Sequence, residues 1–203
     1  MEECSLIPMG GYVLVGGGSR RMGRDKAFMR VQGKLLFLRA AELLQQQLAS
    51  VTLLGPAGRY GGYGFPVIPD RLPNRGPLMA LCTGLESSNH DWNVFLACDL
   101  PFVDHTFLHL LVERALASRA HVVVPHTSEG WQPLCAAYNR KCIPAVKHAL
   151  REGRDKVTNV FSLLSVDPIT TRELDLVGIC AQAFHNMNTM KDWDMARHQL
   201  DVA

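Results

Sequence analysis

The chain carries almost no net charge: 21 Lys and Arg against 19 Asp and Glu leave +2 over 203 residues. A surface so balanced has no broad electrostatic footprint for nucleic acid, so any phosphate binding has to come from local geometry. Long apolar runs are missing as well. None approaches the roughly 18 residues that cross a bilayer, and no membrane partner is expected. The first residues, Met1-Glu2-Glu3-Cys4, are acidic and lack the layout of a secretory leader, so the expected location is the cytoplasm. Six cysteines (Cys4, Cys82, Cys98, Cys135, Cys142, Cys180) are scattered without a Cys-x-x-Cys pair, which argues against a zinc site and against a disulfide scaffold. Internal repeats and low-complexity segments are absent. What remains is a chain 47% hydrophobic, long enough for one α/β domain spanning residues 1–203 and too short for two ordinary ones.

Two familiar phosphate loops are also missing. A P-loop needs Gly-x-x-x-x-Gly-Lys-Ser/Thr; Gly18 and Gly23 have that separation, but Arg24 and Asp25 follow. The dinucleotide fingerprint needs Gly-x-Gly-x-x-Gly; Gly16 and Gly18 begin it, but Arg21 stands at the third glycine. The chain has instead Tyr12-Val-Leu14-Val15-Gly16-Gly17-Gly18-Ser19-Arg20-Arg21-Met22-Gly23-Arg24-Asp25-Lys26. An apolar strand runs into glycines that can turn backbone N–H groups toward an anion and approach it closely. Arg21 and Lys26 add fixed positive charge beside that cradle. The glycines alone fit equally a plain strand-to-helix turn with solvated charges. The attached Arg-Met-Gly-x-Asp-Lys favours a triphosphate as guest.

Strands and helices alternate along the chain. Strands are expected over 11–15, 51–54, 65–68, 93–97, 121–124 and 134–138. Helices are expected from 34 or 35 to 48, over 78–86, from a cap at Asp104 to about 117, over 143–150 with Pro144 in its first turn, and over 191–200. Residues 55–64 hold five glycines and one proline and read as a mobile loop. Several strands are continuously apolar. The expected fold is therefore α/β: a single-domain, Rossmann-like three-layer sandwich around a mostly parallel central sheet. The glycine loop, Asp70 and Asp99 then all follow strand C-termini, the edge where open α/β sheets bind ligands.

The glycine string resembles the Leu-x-Gly-Gly-x-Ser/Ala-x-Arg-Met-Gly-x-Asp-Lys signature of nucleotidyltransferases with a glycosyltransferase-A-like fold. Within that superfamily the chain is most similar to the molybdenum cofactor guanylyltransferase family, and the likeness runs in order along nearly its whole length. Val67-Ile-Pro-Asp70 with Gly76-Pro77-Leu78 resembles the family's Asp…Gly-Pro-Leu block. Phe95-Leu-Ala-Cys98-Asp99-Leu-Pro101 resembles its Cys-Asp-x-Pro metal block. Phe184-His-Asn186-Met-Asn188-Thr189 resembles its C-terminal Asn-x-Asn-Thr block.

The resemblance implies transfer of GMP from Mg·GTP to molybdopterin, with pyrophosphate leaving and molybdopterin guanine dinucleotide forming. Such chemistry asks for in-line positioning and charge neutralisation, and for no protein nucleophile. Gly16, Gly17, Gly18 and Ser19, with Met22 and Gly23, would hold the phosphates. Arg21 and Lys26 would stabilise the α-phosphate and the leaving pyrophosphate. Asp99 would bind Mg²⁺, which favours one or two carboxylates plus phosphate oxygens and water; on local grounds alone it also fits a capping or turn Asp. Asp104 and Asp194 are the undistinguished candidates for a second carboxylate. Asp70 belongs by resemblance to the nucleotide site; a carboxylate there can accept from the N1–H and N2 edge of guanine, whereas cytosine offers only its N4 amine. Backbone groups of Leu14, Val15 and Gly16 would face the base. Asn186 and Asn188, two apart in an extended segment, share a face and would meet the acceptor, while Thr189 caps the last helix. Trp131-Gln132-Pro133 would line the same cleft, and the basic loop of Arg151, Arg154 and Lys156 fits a solvated charged loop at least as well as a contact to the acceptor's phosphate. Cys98 reads as a core thiol at a strand end.

The implied partners are GTP and molybdopterin as substrates, with transient contact to molybdenum enzymes or other cofactor-synthesis proteins. Three departures from the pattern stand out. Leu54-Gly55-Pro56 occupies the region of a family Asn near the base. Ala80 replaces a family Gly after the Gly-Pro-Leu block, and Val15 replaces a commoner Ala. Two alternatives stay open: a related transferase using CTP or a sugar or polyol phosphate acceptor, and a non-catalytic nucleotide- or cofactor-binding module.

Overall fold

A computed structural model describes residues 6–15, 25–71 and 75–202. Its frame is an eight-stranded sheet. The strands are β1 (Ile7–Leu14), β4 (Leu48–Leu54), β5 (Val67–Ile68), β6 (Trp92–Ala97), β7 (Val122–Thr127), β8 (Gly130–Trp131), β9 (Cys135–Asn139) and β10 (Val166–Thr170). The short β2 (Arg30–Val31) and β3 (Lys34–Leu35) form a separate hairpin. The sheet order is β10-β7-β9-β6-β1-β4-β5, with β8 paired to β7. β1 is parallel to both β4 and β6, β4 to β5, and β10 to β7. Only β8 and β9 run against their neighbours, which leaves a mostly parallel sheet.

Helices cover both faces, because successive side chains of a strand point to opposite sides. Met9 and Val13 of β1 pack with Ala40 and Leu44 of α1 (Leu36–Gln45) and with Phe107 and Leu111 of α4 (His105–Ala117). Tyr12 and Leu14 pack on the other face with Leu78, Leu81 and Leu85 of α3 (Gly76–Ser87) and with Val146 and Ala149 of α5 (Ile143–Arg151). This is the expected three-layer arrangement. The Asp104 side chain caps α4 as expected, accepting from the Phe107 N–H at 3.0 Å.

The differences from expectation have identifiable causes. β1 begins at Ile7, four residues before the expected start, because Gly10 there is a packing device: a Cβ would meet Asn93 Oδ1 of the neighbouring strand at 2.5 Å. Lys34 and Leu35 belong to β3, so α1 starts at Leu36. The glycine-rich 55–64 contains a helical turn, α2 (Ala57–Tyr60), because Tyr60 is 1% exposed and its burial anchors the segment. β10 and the following α6 (Thr171–Leu176) were not expected. Pro168 obscures β10, yet a proline is tolerated on the sheet edge that β10 forms. α6 has a full capping box between Thr170 and Glu173.

The last helix, α7 (Met190–Val202), docks on the β2–β3 hairpin through a third cluster of Val31, Leu36, Met187 and Ala196. The hairpin turns on Gln32 and Gly33, both with positive φ. The Gln32 amide then donates to the Leu200 carbonyl of α7. Among the described residues no helix is long and apolar enough to cross a membrane.

Candidate active site

Three strand ends meet at the carboxyl edge of the sheet: Val15 after β1, Asp70 after β5 and Asp99 after β6. The chain leaves β1 toward β4 and β5, then crosses back to β6 on the other side of β1. Such a reversal of strand order is the point at which open sheets take ligands.

Lys26 reaches this edge from a short 3₁₀ turn, Lys26–Phe28, that Asp25 nucleates by accepting the Ala27 N–H at 3.2 Å. The Lys26 ammonium donates to Asn188 Oδ1 at 2.8 Å and lies 3.8 Å from Asp99 Oδ2. Three residues singled out from the sequence, 162 positions apart at the extremes, thus share one cluster. Met187 explains how: its side chain is buried in the α7 cluster and its N–H donates to the Asp99 carbonyl at 3.0 Å. The alternation of exposed Asn186, buried Met187 and exposed Asn188 turns both amides outward, as expected of an extended segment. Among the described residues no hydrogen bond joins Asn186 to the cluster. Asp192 accepts the Asn188 and Thr189 N–H groups at 2.9 and 2.8 Å, while the Thr189 hydroxyl accepts the Asp192 N–H, so Thr189 does cap α7.

Burial pushes the Asp99 carboxyl above the usual carboxylate range, and the Lys26 ammonium only partly offsets this. The neighbouring Cys98 thiol is raised by burial and then by the Asp99 charge, so it stays protonated, the inert core thiol expected. Asp70 is raised by burial alone. Its Oδ1 is buried and, among the described residues, has no hydrogen-bond partner. Buried polar atoms are rarely left so, and an orphaned acceptor at a ligand edge is complementary to a ligand donor. The adjacent Arg71 is fixed on Glu86 at 2.7 Å, and Lys147 of α5 reaches the other oxygen of the same carboxylate at 2.5 Å.

The backbone at the end of β1 is largely engaged. The Leu14 carbonyl accepts from Cys98 at 3.3 Å, the Val15 N–H donates to Leu54 at 3.1 Å, and the Val15 carbonyl accepts from the Tyr60 hydroxyl. Each carbonyl keeps one lone pair for a ligand. Of the two candidate second carboxylates, Asp104 is spent as a cap and Asp194 is exposed on α7. Gly16, Gly17, Gly18, Ser19, Arg21, Met22 and Gly23 lie outside the described residues. Trp131 stands at the same sheet edge, its ring 4.2 Å from that of His126 and edge-on to Phe161 at 5.4 Å.

Ala80 sits in the buried run of α3 with ordinary helical backbone, so no positive φ is asked of this position here. The position that needs glycine is Gly76, with φ 69° and the Asp155 carbonyl 3.3 Å from a would-be Cβ. Sequence reasoning missed Asp25, Arg59 and Tyr60. Asp25 stood inside the motif as a residue without a role, and Tyr60 was the one aromatic inside the turn Ala57–Tyr60.

A family model described as MobA-like NTP transferase domain matches residues 11–165. The chain belongs to the MobA-like NTP transferase family. It is 31% identical over 193 residues to a probable molybdenum cofactor guanylyltransferase of Pelotomaculum thermopropionicum, covering 95% of this chain and 93% of that one. It is 29% identical over 188 residues to a molybdenum cofactor guanylyltransferase of Desulfosudis oleivorans, covering 92% and 93%. The fold matches the crystal structure of molybdopterin-guanine dinucleotide biosynthesis protein A from Archaeoglobus fulgidus with a TM-score of 0.84 at 22% identity, covering 96% of this chain and all of that one. As a MobA-like chain it is a nucleotidyltransferase.

Proposed function

We propose that the chain, read as one domain over 1–203, transfers GMP from GTP to molybdopterin. A phosphate oxygen of the acceptor attacks the α-phosphorus, the bond to the bridging oxygen of the β-phosphate breaks, and pyrophosphate leaves. The observation that carries this reading is the convergence of Lys26, Asp99 and Asn188 at the strand edge. A cation, a carboxylate and an amide at one point can serve a triphosphate and an acceptor at once. Lys26 would neutralise charge on the phosphates, with Arg21 and the 16–19 backbone beside it. Asn188, with Asn186 on the same outward face, would orient the acceptor. Asp70, with its orphaned oxygen, would accept from the guanine edge.

Transferases of this kind use a divalent metal, and Asp99 has the chemistry to hold one. It is an oxygen donor whose negative charge is under-compensated by Lys26. Among the described residues no group of three or more His, Cys, Asp and Glu gathers, so the described part of the site offers one or two carboxylates. That donor set suits Mg²⁺, which completes its shell with phosphate oxygens and water. When bound, the ion supplies charge neutralisation on the phosphate oxygens. Contact with molybdenum enzymes and a cytoplasmic location belong to the same proposal.

One observation favours a second base. Leu54-Gly55-Pro56 occupies the region of the family Asn near the base, and the Gly55 N–H there is engaged by the Ile68 carbonyl at 3.0 Å. Pyrophosphate release with molybdopterin as acceptor, run with GTP, CTP, ATP and UTP plus Mg²⁺, decides. Release with GTP alone supports the proposal. Preference for CTP moves the substrate, and silence with all four on folded protein overturns it in favour of another acceptor or a binding module.

A further inference from the structure

The loop after β4 holds a buried hydroxyl that packing does not explain. Tyr60 is 1% exposed, with its ring stacked on Phe28 at 5.2 Å and set edge-on to Phe37 at 5.3 Å. A phenylalanine would serve those contacts equally, whereas a buried hydroxyl carries a desolvation cost unless it is bonded. Here the oxygen lies 2.5 Å from the Val15 carbonyl and 2.9 Å from Asp25 Oδ2. Burial, reinforced by the Asp25 charge, keeps this phenol protonated. It has one proton and two acceptors, shared between the end of β1 and the residue that begins the Lys26 turn. Arg59, the preceding residue, donates to the same Asp25 oxygen at 2.9 Å. The other Asp25 oxygen caps the turn, and the Asp25 and Lys26 carbonyls accept the Phe28 and Met29 N–H groups at 3.1 and 2.9 Å. Val15 is itself tied to Leu54 of β4. One side chain from outside the glycine motif therefore links the two flanks of that motif.

We propose that Tyr60 is a positioning residue for nucleotidyl transfer, its hydroxyl acting through Asp25 to hold the Lys26 turn in fixed relation to the end of β1. The inference rests on the transferase reading above. Tyr60 touches no substrate; it sets where the Lys26 ammonium stands relative to Asp99.

The test is Tyr60→Phe, which keeps the ring packing and removes the bridge. Misplacement of a charge by about 1 Å can cost up to about a hundredfold, so kcat for pyrophosphate release is expected to fall about ten- to a hundredfold. KM for GTP should move less than about threefold and the melting temperature by only a few degrees. A residue of merely structural value would move the melting temperature and leave kcat alone. Asp25→Asn should act in the same direction, and the double variant should be no worse than the poorer single one, because both break one linkage. Wild-type kcat in Tyr60→Phe, or losses that multiply in the double variant, overturns the inference. If Tyr60→Phe does not fold, Asp25→Asn with the same readouts decides. If the wild-type protein releases no pyrophosphate, the transferase reading fails, and the linkage is read by amide hydrogen exchange at Ala27, Phe28 and Met29. Faster exchange in Tyr60→Phe supports it; unchanged exchange overturns it.

Discussion

Replacing Lys26 by methionine removes the one described cation of the cluster while keeping most of the side-chain volume. Its ammonium stands 3.8 Å from Asp99 Oδ2 and 2.8 Å from Asn188 Oδ1. At that range a pair of unit charges near a protein surface interacts by about 4 kcal/mol at an effective dielectric constant of about 20. A phosphate oxygen gaining charge in the transition state would sit at similar distance, so about 4 kcal/mol is the ceiling on the loss. Deletion of single donors of this kind costs about 10²- to 10³-fold in rate. Lys26→Met should therefore lower kcat for pyrophosphate release by about 10²- to 10³-fold, with KM for GTP changing far less. The pH profile adds a second signature. Lys26 lowers the Asp99 pKa against the effect of burial, so its removal should raise it further. If Asp99 holds the metal as proposed, its carboxylate must be ionised for transfer, and the rising acid limb of kcat/KM should shift to higher pH in Lys26→Met. A rate within about threefold of wild type would remove Lys26 from the transferring machinery. A large loss with an unmoved acid limb would refute the coupling to Asp99.

Asp99→Asn should trade activity for stability. The folded pKa of Asp99 is raised, so its ionisation opposes folding as pH rises through that value and costs nothing in strong acid. The Asn variant should melt higher than wild type at neutral pH, lose that advantage in acid, and transfer at least about a hundredfold more slowly; calorimetry across pH together with the pyrophosphate assay checks both. Asp70→Asn should raise the GTP KM and narrow the preference for GTP over CTP, by about 1–3 kcal/mol of discrimination. Unchanged discrimination in competition assays would take Asp70 off the base. Arg114 forks onto Asp167 of β10, with Nη2 at 2.8 Å, and Ser118 donates to the same carboxylate at 2.7 Å, which holds Asp167 below the usual carboxylate range. The arginine side chain is 40% exposed, so Arg114→Ala should cost only about 1 kcal/mol. That loss should be full at neutral pH and vanish as the pH falls through the depressed Asp167 pKa, measured by urea unfolding.

Much of the frame was legible because its signals are local. Apolar runs ending at Cys98-Asp99 and Pro69-Asp70 announce strand ends, and Asp104 and Thr189 announce helix starts by their capping chemistry. Misreadings fell where a tertiary neighbour overrides the local rule. Gly10 looks like a breaker, but Asn93 leaves no room for a side chain there. The glycines of 55–64 look like a mobile loop, but Phe28 and Phe37 bury Tyr60. Pro168 looks incompatible with a strand until β10 is found at the sheet edge.

The sequence by itself determined the architecture, the sheet edge at which the candidate residues fall and the types of those residues. These follow from strand periodicity, glycine stereochemistry and the order of motifs, all written within short windows of the chain. Only the tertiary structure decided which of those residues meet. Lys26 reaches Asn188 because α7 seats Met187 in a pocket made by β2 and α1 and hangs its N–H on the Asp99 carbonyl. Asp25 caps its own turn locally, but it is tied to the rest of the fold only when the helical turn after β4 brings Tyr60 and Arg59 to it. The pull of burial on Asp70 and Asp99 likewise exists only once the layers have closed around them. Contacts between residues dozens or more positions apart depend on the packing of whole layers, and desolvation depends on everything packed around a group; neither is encoded in any local window.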